Sequence, residues 1–365
     1  MNSFKLRVQG DSPYRRVIGV GGIGAGMLLA LEGNHDLGRN ESRAARLVDA
    51  RDYCKLHIIT HYLAALLDRS EAPFDVIPIG KVGTDSAGNR LVQEMIDVGV
   101  DPTYVDKVVG QPTLFSVCYQ YPDGAGGNIT TSESAASLLT TEDVDRLTSL
   151  FEDSRNRTIA LSVPEAPLNV RHHLLKLATK YDAFRVASFS SAEVLDAQQL
   201  NVLNFVDLLV LNMDEAAKLV GQKFDATAPY MFLEQCAMAL RASQPQMNIV
   251  ISAGKDGAFG FSKGEWSHSP GLPVDVVSTA GAGDALLSGI LAAMIAGLPF
   301  TNKDESRNSP AVLRSALDFG VLLASYSVTS QHTIHPETKL RAVLDLAEDL
   351  GITFAEEPGN LVAGD

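Results

Sequence analysis

Residues 276–297 read VVSTAGAGDALLSGILAAMIAG. Gly281, Ala282 and Gly283 stand directly before Asp284, and a long Ala/Leu/Ile-rich stretch of helical character follows at once. Small residues at a helix start let the free backbone N–H groups close around an anion, and the helix dipole adds favourable potential there. Asp284, in the first turn, suits a helix cap. If the anion is a γ-phosphate, the same carboxylate is placed to take a proton from an attacking hydroxyl. Four residues alone do not choose between cap and catalyst; their surroundings must.

Upstream, VDLLVLNMDEAAKLVG (206–221) is an apolar strand ending in Asn212, with Glu215 at the start of a helix. N-x-x-E at the carboxyl end of a strand delivers an amide and a carboxylate to the crevice where α/β proteins bind ligands. Hard oxygen donors there suit Mg²⁺, usually held through water. Asp214 and Glu215 serve equally as helix caps. NIVISAGKDGAFGF (248–261) runs from a buried strand through Ser-Ala-Gly-Lys-Asp-Gly into a second strand. It is either a simple hairpin turn or the floor of a nucleotide site, with Ser252 a hydrogen-bond donor and Gly254 and Gly257 admitting base and phosphates closely. PIGKVGTDSAGNRLVQEMIDVGVD (78–101) reads as strand, Gly-rich turn and amphipathic helix, with Asp85 and Gly88 in structural roles.

The N-terminal stretch VIGVGGIGAGMLLAL (17–31) poses a rival. Gly19, Gly21 and Gly24 match G-x-G-x-x-G, the dinucleotide fingerprint, and an apolar run follows that could begin a helix. The rest of that pattern is missing. Gly33-Asn34 interrupt the run within about ten residues, and no second strand delivers an acidic residue about 20 residues on. The reading therefore goes against NAD or FAD.

The bulk of the 365-residue chain fits one large α/β unit with a well-buried core, or such a unit with a small appendage. Its 45% hydrophobic and 20% charged content is ordinary for a soluble enzyme. A formal net charge of −14 repels phosphate backbones and argues against a general nucleic-acid binder. No apolar run approaches the roughly 20 residues that span a bilayer, and the first residues lack the apolar core of a signal peptide. Cys54, Cys118 and Cys236 are far apart and odd in number, which suits a reducing cytoplasm and not a disulfide framework or cysteine metal site.

Strands are expected near 16–20, 75–80, 158–163, 184–188, 207–212 and 247–252. Helices are expected near 43–67, 86–98, 168–180, 193–204, 229–242, 281–297 and 310–328. The alternation implies a doubly wound, mainly parallel sheet with helices on both faces. PTLFSVCYQYPDGAGGNITTSES (112–134) breaks that rhythm as a hairpin with a Pro-Asp-Gly turn, the mark of a small β flap. The last ten residues, EEPGNLVAGD, read as a solvated tail.

In order and spacing, GKVGTDSAG, LNMDEA, ISAGKDG and STAGAGDALLSG resemble the ribokinase-like (PfkB) family of carbohydrate and nucleoside kinases over roughly residues 75 to 330. The resemblance implies a single ribokinase-like α/β domain over 1–365, with lid strands at approximately 20–40 and 112–134 inserted in it. It implies transfer of the γ-phosphate of ATP, with Mg²⁺, to an alcohol of a small sugar-like or nucleoside acceptor. Carried over, Asp284 would be the base, and Gly281, Ala282 and Gly283 the anion hole. Asn212 and Glu215 would order Mg²⁺ and the phosphates, and Ser252, Gly254 and Gly257 would line the nucleotide site. The N-terminal glycines, Gly22 among them, would then face the acceptor. Phosphoryl transfer asks for alignment and charge neutralisation, which a helix start, a metal and a closing lid supply.

The departures from the family pattern matter as much. Ser278 stands where the signature usually begins with Asp, which puts the monovalent-cation site of several members in doubt. The Asp that family members carry shortly after the first strand falls near Gly26. The later Gly-Gly and Asn are replaced by GNHDLGRNESRAARLVDARDYCKLHIITHYLAALL (33–67), with His57 near the Asn position. That segment is an exposed loop with a charged helix start, or a rebuilt acceptor pocket in which Arg39, Asn40 and His57 meet the substrate; arginines there would suit a carboxylate or phosphate. His57 and His61, one turn apart, lack a third metal ligand. A kinase-like regulatory protein with altered acceptor chemistry, a nucleoside kinase and a homodimer paired through the flap edge stay open at this level.

Overall fold

The structure is a computed structural model that describes residues 5–225, 228–302 and 312–354. Thirteen of its strands form two sheets. They are β1 (Arg16–Val20), β2 (Gly24–Leu31), β3 (Ala45–Tyr53), β4 (Asp75–Gly83), β5 (Tyr104–Val108), β6 (Leu114–Gln120) and β7 (Gly126–Thr130). After them come β8 (Thr158–Ser162), β9 (Phe184–Ser188), β10 (Leu208–Asn212), β11 (Asn248–Ser252), β12 (Ala258–Ser262) and β13 (Glu265–Ser269). The helices are α1 (Lys55–Leu66), α2 (Ser86–Val98), α3 (Thr141–Asp145), α4 (Thr148–Asp153), α5 (Leu168–Lys180) and α6 (Val194–Gln199). They continue with α7 (Met213–Val220), α8 (Pro229–Arg241), α9 (Ala282–Ile295), α10 (Ala316–Ser327) and α11 (Leu340–Asp349).

The nine-stranded sheet has the order β13-β12-β11-β10-β9-β8-β1-β4-β5. It is parallel from β5 to β11, while β12 and β13 close one end as antiparallel strands. Its central strands, such as β8 and β10, are near-continuous apolar runs because both faces are covered. Leu208 and Val210 point into one core with α1, α9 and α10. Leu209 and Leu211 point into the opposite core with α8. The reversal of strand order at β1, flanked by β4 and β8, opens the crevice where such sheets hold ligands. This is the doubly wound α/β architecture that the alternation predicts.

The second sheet has the order β3-β2-β6-β7. The hairpin expected at 112–134 forms: Ser116 pairs with Thr130 and Gln120 with Gly126, antiparallel. Residues 24–31 are a strand and no helix follows the glycines, so the dinucleotide reading has no structural support.

One expected helix is corrected. Residues 43–67 are not a single helix: β3 occupies Ala45–Tyr53 and α1 starts at Lys55. Alternation in ARLVDARDY is the strand signal, and the run of Leu, Ile and Ala after Cys54 masked it by extending a helical pattern backwards. The helix expected at 310–328 starts at Ala316, after a short strand at Val312–Leu313; residues 310 and 311 and the C-terminal tail lie outside the described residues.

Candidate active site

Helix α9 starts where the chain turns through Gly281, whose φ of 77° lies in the left-handed region. A Cβ there would also sit 2.8 Å from the Thr333 carbonyl oxygen, so glycine is required on both counts. The Ala282 N–H makes a long bond to Thr279 O (3.3 Å), and Ala285 N–H closes the first turn onto Gly281 O (2.9 Å). Asp284 projects from this turn, and its Oδ2 lies 3.6 Å from Lys55 Nζ.

Lys55 is the first residue of α1, immediately after β3 has crossed back from the second sheet. Its backbone N–H donates to Glu165 Oε2 (2.9 Å). Glu165 follows β8 at the carboxyl end of the main sheet and holds a φ of 74°, an uncommon conformation for a residue with a side chain. Strain of that kind gathers where a side chain must be aimed. Gly22 makes the room: a Cβ there would meet Glu165 Oε2 at 2.4 Å.

The electrostatics are those of one ammonium among several acids. Burial raises the Asp284 carboxyl above the usual range, and the Lys55 ammonium pulls it back. Glu165 is raised by burial, again opposed by Lys55. Lys55 is raised, first by Asp284, against its own desolvation, with Glu165 and Glu215 adding to the rise. The ammonium thus stays charged and favours an ionised Asp284, the state a proton acceptor needs.

On the other side of the crevice, Asn212 ends β10 and Ser252 ends β11, and the two are register partners. Asn212 and Glu215 form a reciprocal capping box on α7: Asn212 Oδ1 accepts from Glu215 N–H and Glu215 Oε2 from Asn212 N–H, both at 2.8 Å. Burial raises the Glu215 carboxyl, Lys55 lowers it, and Asp284 raises it, so Glu215 belongs to the same electrostatic neighbourhood. Gly254 and Gly257 shape the turn between β11 and β12; the Gly254 Cβ position is open, whereas one on Gly257 would meet Ser269 O at 2.1 Å.

The structure therefore brings Asp284, Lys55, Glu165, Glu215 and Gly22 together. Arg39 and Asn40 sit in the exposed β2–β3 loop, whose tip is tied by Arg43 to Glu41 (2.6 Å) and by Leu37 N–H to the Tyr121 hydroxyl (3.2 Å). His57 is fully buried, its ring stacked on Tyr53 and neighbouring His61, with neither ring nitrogen bonded. Burial drives its pKa down to about 3, with His61 and Arg90 adding to the fall. Among the described residues no three His, Cys, Asp or Glu side chains converge as a metal cluster. Asp85 caps α2 through Gly88 N–H (2.8 Å) and accepts from Thr113 N–H (2.8 Å), which joins the helix start to β6. Ser278 is buried, with its Oγ accepting from Ala280 N–H at 3.3 Å.

Sequence reasoning missed Lys55 and Glu165. Glu165 carried a signal, an acidic residue between Pro164 and Pro167 just beyond a buried strand. Lys55 carried none until the β3–α1 boundary was known.

Comparison with known proteins shows the family and the fold. The family model described as pfkB family carbohydrate kinase matches residues 60–340. The deoxyribokinase of Salmonella typhi is 26% identical over 259 residues, covering 71% of this chain and 77% of that protein. The ribokinase of Cryptococcus neoformans var. grubii serotype A, solved with ADP, superposes with a TM-score of 0.69 at 17% identity, over 91% of this chain and 99% of that one. The Burkholderia thailandensis nucleoside kinase solved with inosine gives 0.67 at 13% identity, over 92% and 97%. At these identities the structural likeness speaks for the fold.

Proposed function

Starting from a chain that belongs to the pfkB family of carbohydrate kinases, we propose that Asp284 is the base that deprotonates the acceptor alcohol. The enzyme is an ATP-dependent kinase acting on a small hydroxylated molecule; the residue roles that follow are our reading. The single observation that carries them is the Asp284–Lys55 pair, at 3.6 Å, set in the first turn of α9. Burial raises the Asp284 carboxyl and so favours proton uptake, while the neighbouring ammonium favours the ionised form that accepts the proton. The adjoining backbone amides of Gly281 to Gly283 would face the charge that develops on the transferring group. Because the transition state is loose, alignment and charge neutralisation supply most of the acceleration.

Ser252, Gly254 and Gly257 form the floor for the nucleotide in this reading, beside Asn212. The donor set fits Mg²⁺ held through water: the cap engages Oε2 of Glu215 and Oδ1 of Asn212, which leaves Glu215 Oε1 to take a water ligand beside Asn212. When bound there, Mg²⁺ would neutralise phosphate charge. The four-stranded sheet is read as the lid, since β3 leads straight into Lys55. Asp49 on β3 is joined to His332 Nδ1 at 2.6 Å, and Tyr53 N–H donates to Thr333 Oγ1 at 3.3 Å; these bonds tie that sheet to the segment packed under Gly281.

The outer face of this sheet supports a homodimer. Leu29 pairs with Leu47 and Val117 with Ile129 on one face, where Leu47 is 54% and Ile129 63% exposed. A contiguous apolar sheet face of that kind is suited to a second copy. Among the described residues no helix is long and apolar enough to cross a membrane. The three free cysteines fit a reducing, cytoplasmic setting.

Asp284→Asn tests the base. Phosphoryl transfer should fall by about 10²–10⁴-fold while ATP binding, measured by calorimetry, persists. Full activity in that variant rejects the assignment.

A further inference from the structure

The carboxylate that the family pattern places shortly after the first strand falls near Gly26 here, and no acid stands on that stretch of β2. The structure shows what stands there instead. Gly26 on β2 is the register partner of Asp52 on β3, and a Cβ on Gly26 would lie 3.0 Å from Asp52 Oδ2 and 2.5 Å from the Ser116 carbonyl oxygen. The vacancy left by a glycine is thus occupied from the neighbouring strand.

Asp52 is held as a directed group. It is 1% exposed, and its Oδ2 takes the Cys118 thiol at 3.0 Å and faces the Ser116 hydroxyl at 3.4 Å. Thr333, whose carbonyl packs under Gly281, also hydrogen-bonds to the Asp52 carboxylate. Asp52 Oδ1 has no hydrogen-bond partner. A buried, unpaired carboxylate oxygen is costly, and its retention asks for a donor that arrives from outside. Thr333 links Asp52 to the turn at Gly281, and Lys55, three residues beyond Asp52 along the chain, lies 3.6 Å from Asp284, so Asp52 borders the Asp284 site.

We infer that Asp52 selects the acceptor, its Oδ1 receiving a hydrogen bond from a hydroxyl that is not the one phosphorylated, and that the site admits uncharged polyols and rejects anionic ones. The inference rests on the kinase reading above and extends it to the acceptor. Asp284, Glu165 and Glu215 act on one ammonium, Lys55, so an incoming carboxylate or phosphate meets several acidic groups and a single cation. The arginines that would have suited an anion are elsewhere: Arg43 is spent on Glu41 and Arg39 is exposed at the loop tip. A hydroxyl donor satisfies Oδ1; an acceptor lacking it leaves the oxygen unpaired, the situation in which polar sites discriminate most strongly.

The experiment is a panel of ribose, 2-deoxyribose, ribitol, glucose and fructose beside the acids ribonate and gluconate, run on wild type and Asp52→Asn. Wild type should prefer the best neutral acceptor over the acids by about 100-fold or more in kcat/KM, and removal of one non-reacting hydroxyl should cost about 10-fold or more. Asp52→Asn should raise the acceptor KM about 10-fold or more, with kcat changed by less than about threefold and the KM for ATP unmoved. Preference for the acids, or an unchanged acceptor KM in a variant with wild-type melting behaviour, overturns the inference. If the variant does not fold, the deoxy series on wild type decides, and a flat response there is the overturning result. If no acceptor is phosphorylated, the kinase reading is what fails. Calorimetry of the same sugars without ATP then judges Asp52 separately: weaker polyol binding to the variant supports its role, and equal binding removes it.

Discussion

The two sheets of this molecule are built on opposite plans. In the nine-stranded sheet both faces are apolar and covered by helices, with Leu208 and Val210 feeding one core and Leu209 and Leu211 the other. In the four-stranded sheet the face carrying Asp49, Asp52, Ser116 and Cys118 includes buried polar side chains, while the face with Leu47 and Ile129 looks outward. A sheet whose polar groups are turned inward gives up core stability at that surface, since buried polar atoms need partners to break even. It is tolerated where those groups serve a ligand. In the proposed reading the first sheet is scaffold and the second is the cover, with its apolar outer face the one proposed to meet another copy.

This contrast can be broken at the scaffold first. Leu291 is fully buried on α9 in the larger core, so Leu291→Ala should cost about 2–5 kcal/mol in chemical denaturation. A cost under about 1 kcal/mol would mean that α9 is not packed as described.

Acid probes the seam between scaffold and cover, where α1 follows β3. Burial pushes His57 down to about 3 and His61 to about 4, from an ordinary value of 6.5. Both are neutral in the fold and take up protons only when unfolded across this range. They leave stability unaffected above pH 6.5. Stability then falls with pH and levels off near the folded values, by roughly 2 kcal/mol per histidine at pH 5. Denaturant titrations at pH 7.5 and 5 should show the drop, and His57→Phe should reduce it. An identical slope in that variant would locate the effect elsewhere.

The smallest effect is expected on the outer face of the cover. Leu47→Ser with Ile129→Ser should change stability of the separated subunit by less than about 1 kcal/mol, because both side chains are already exposed. Light scattering should nevertheless show the mass falling from dimer to monomer. A mass unaltered by the pair of substitutions argues against that face as the contact.

Much of the scaffold was legible in the residues themselves. The alternation of apolar strands and amphipathic helices, the capping pair Asn212 and Glu215, and Gly281 ahead of Asp284 are local patterns set by neighbours a few residues apart. Hydrophobic period and helix-end chemistry act over that range, so they are written in contiguous sequence. The failure at 43–67 is of the same kind: a strand and a helix joined at Cys54, without Gly or Pro between them, carry no punctuation to separate them.

What the sequence determined alone is the doubly wound plan, the kinase signature and the position of a carboxylate at the start of α9. What only the tertiary structure decided is the company that carboxylate keeps. Lys55 reaches Asp284 across 229 positions, and Glu165 meets Lys55 across 110. Asp52 takes the place left by Gly26 because antiparallel pairing, rather than proximity along the chain, sets them side by side. Electrostatic and hydrogen-bond energies depend on distance in space, and chain separation between these groups carries no information about that distance until the strands are in register.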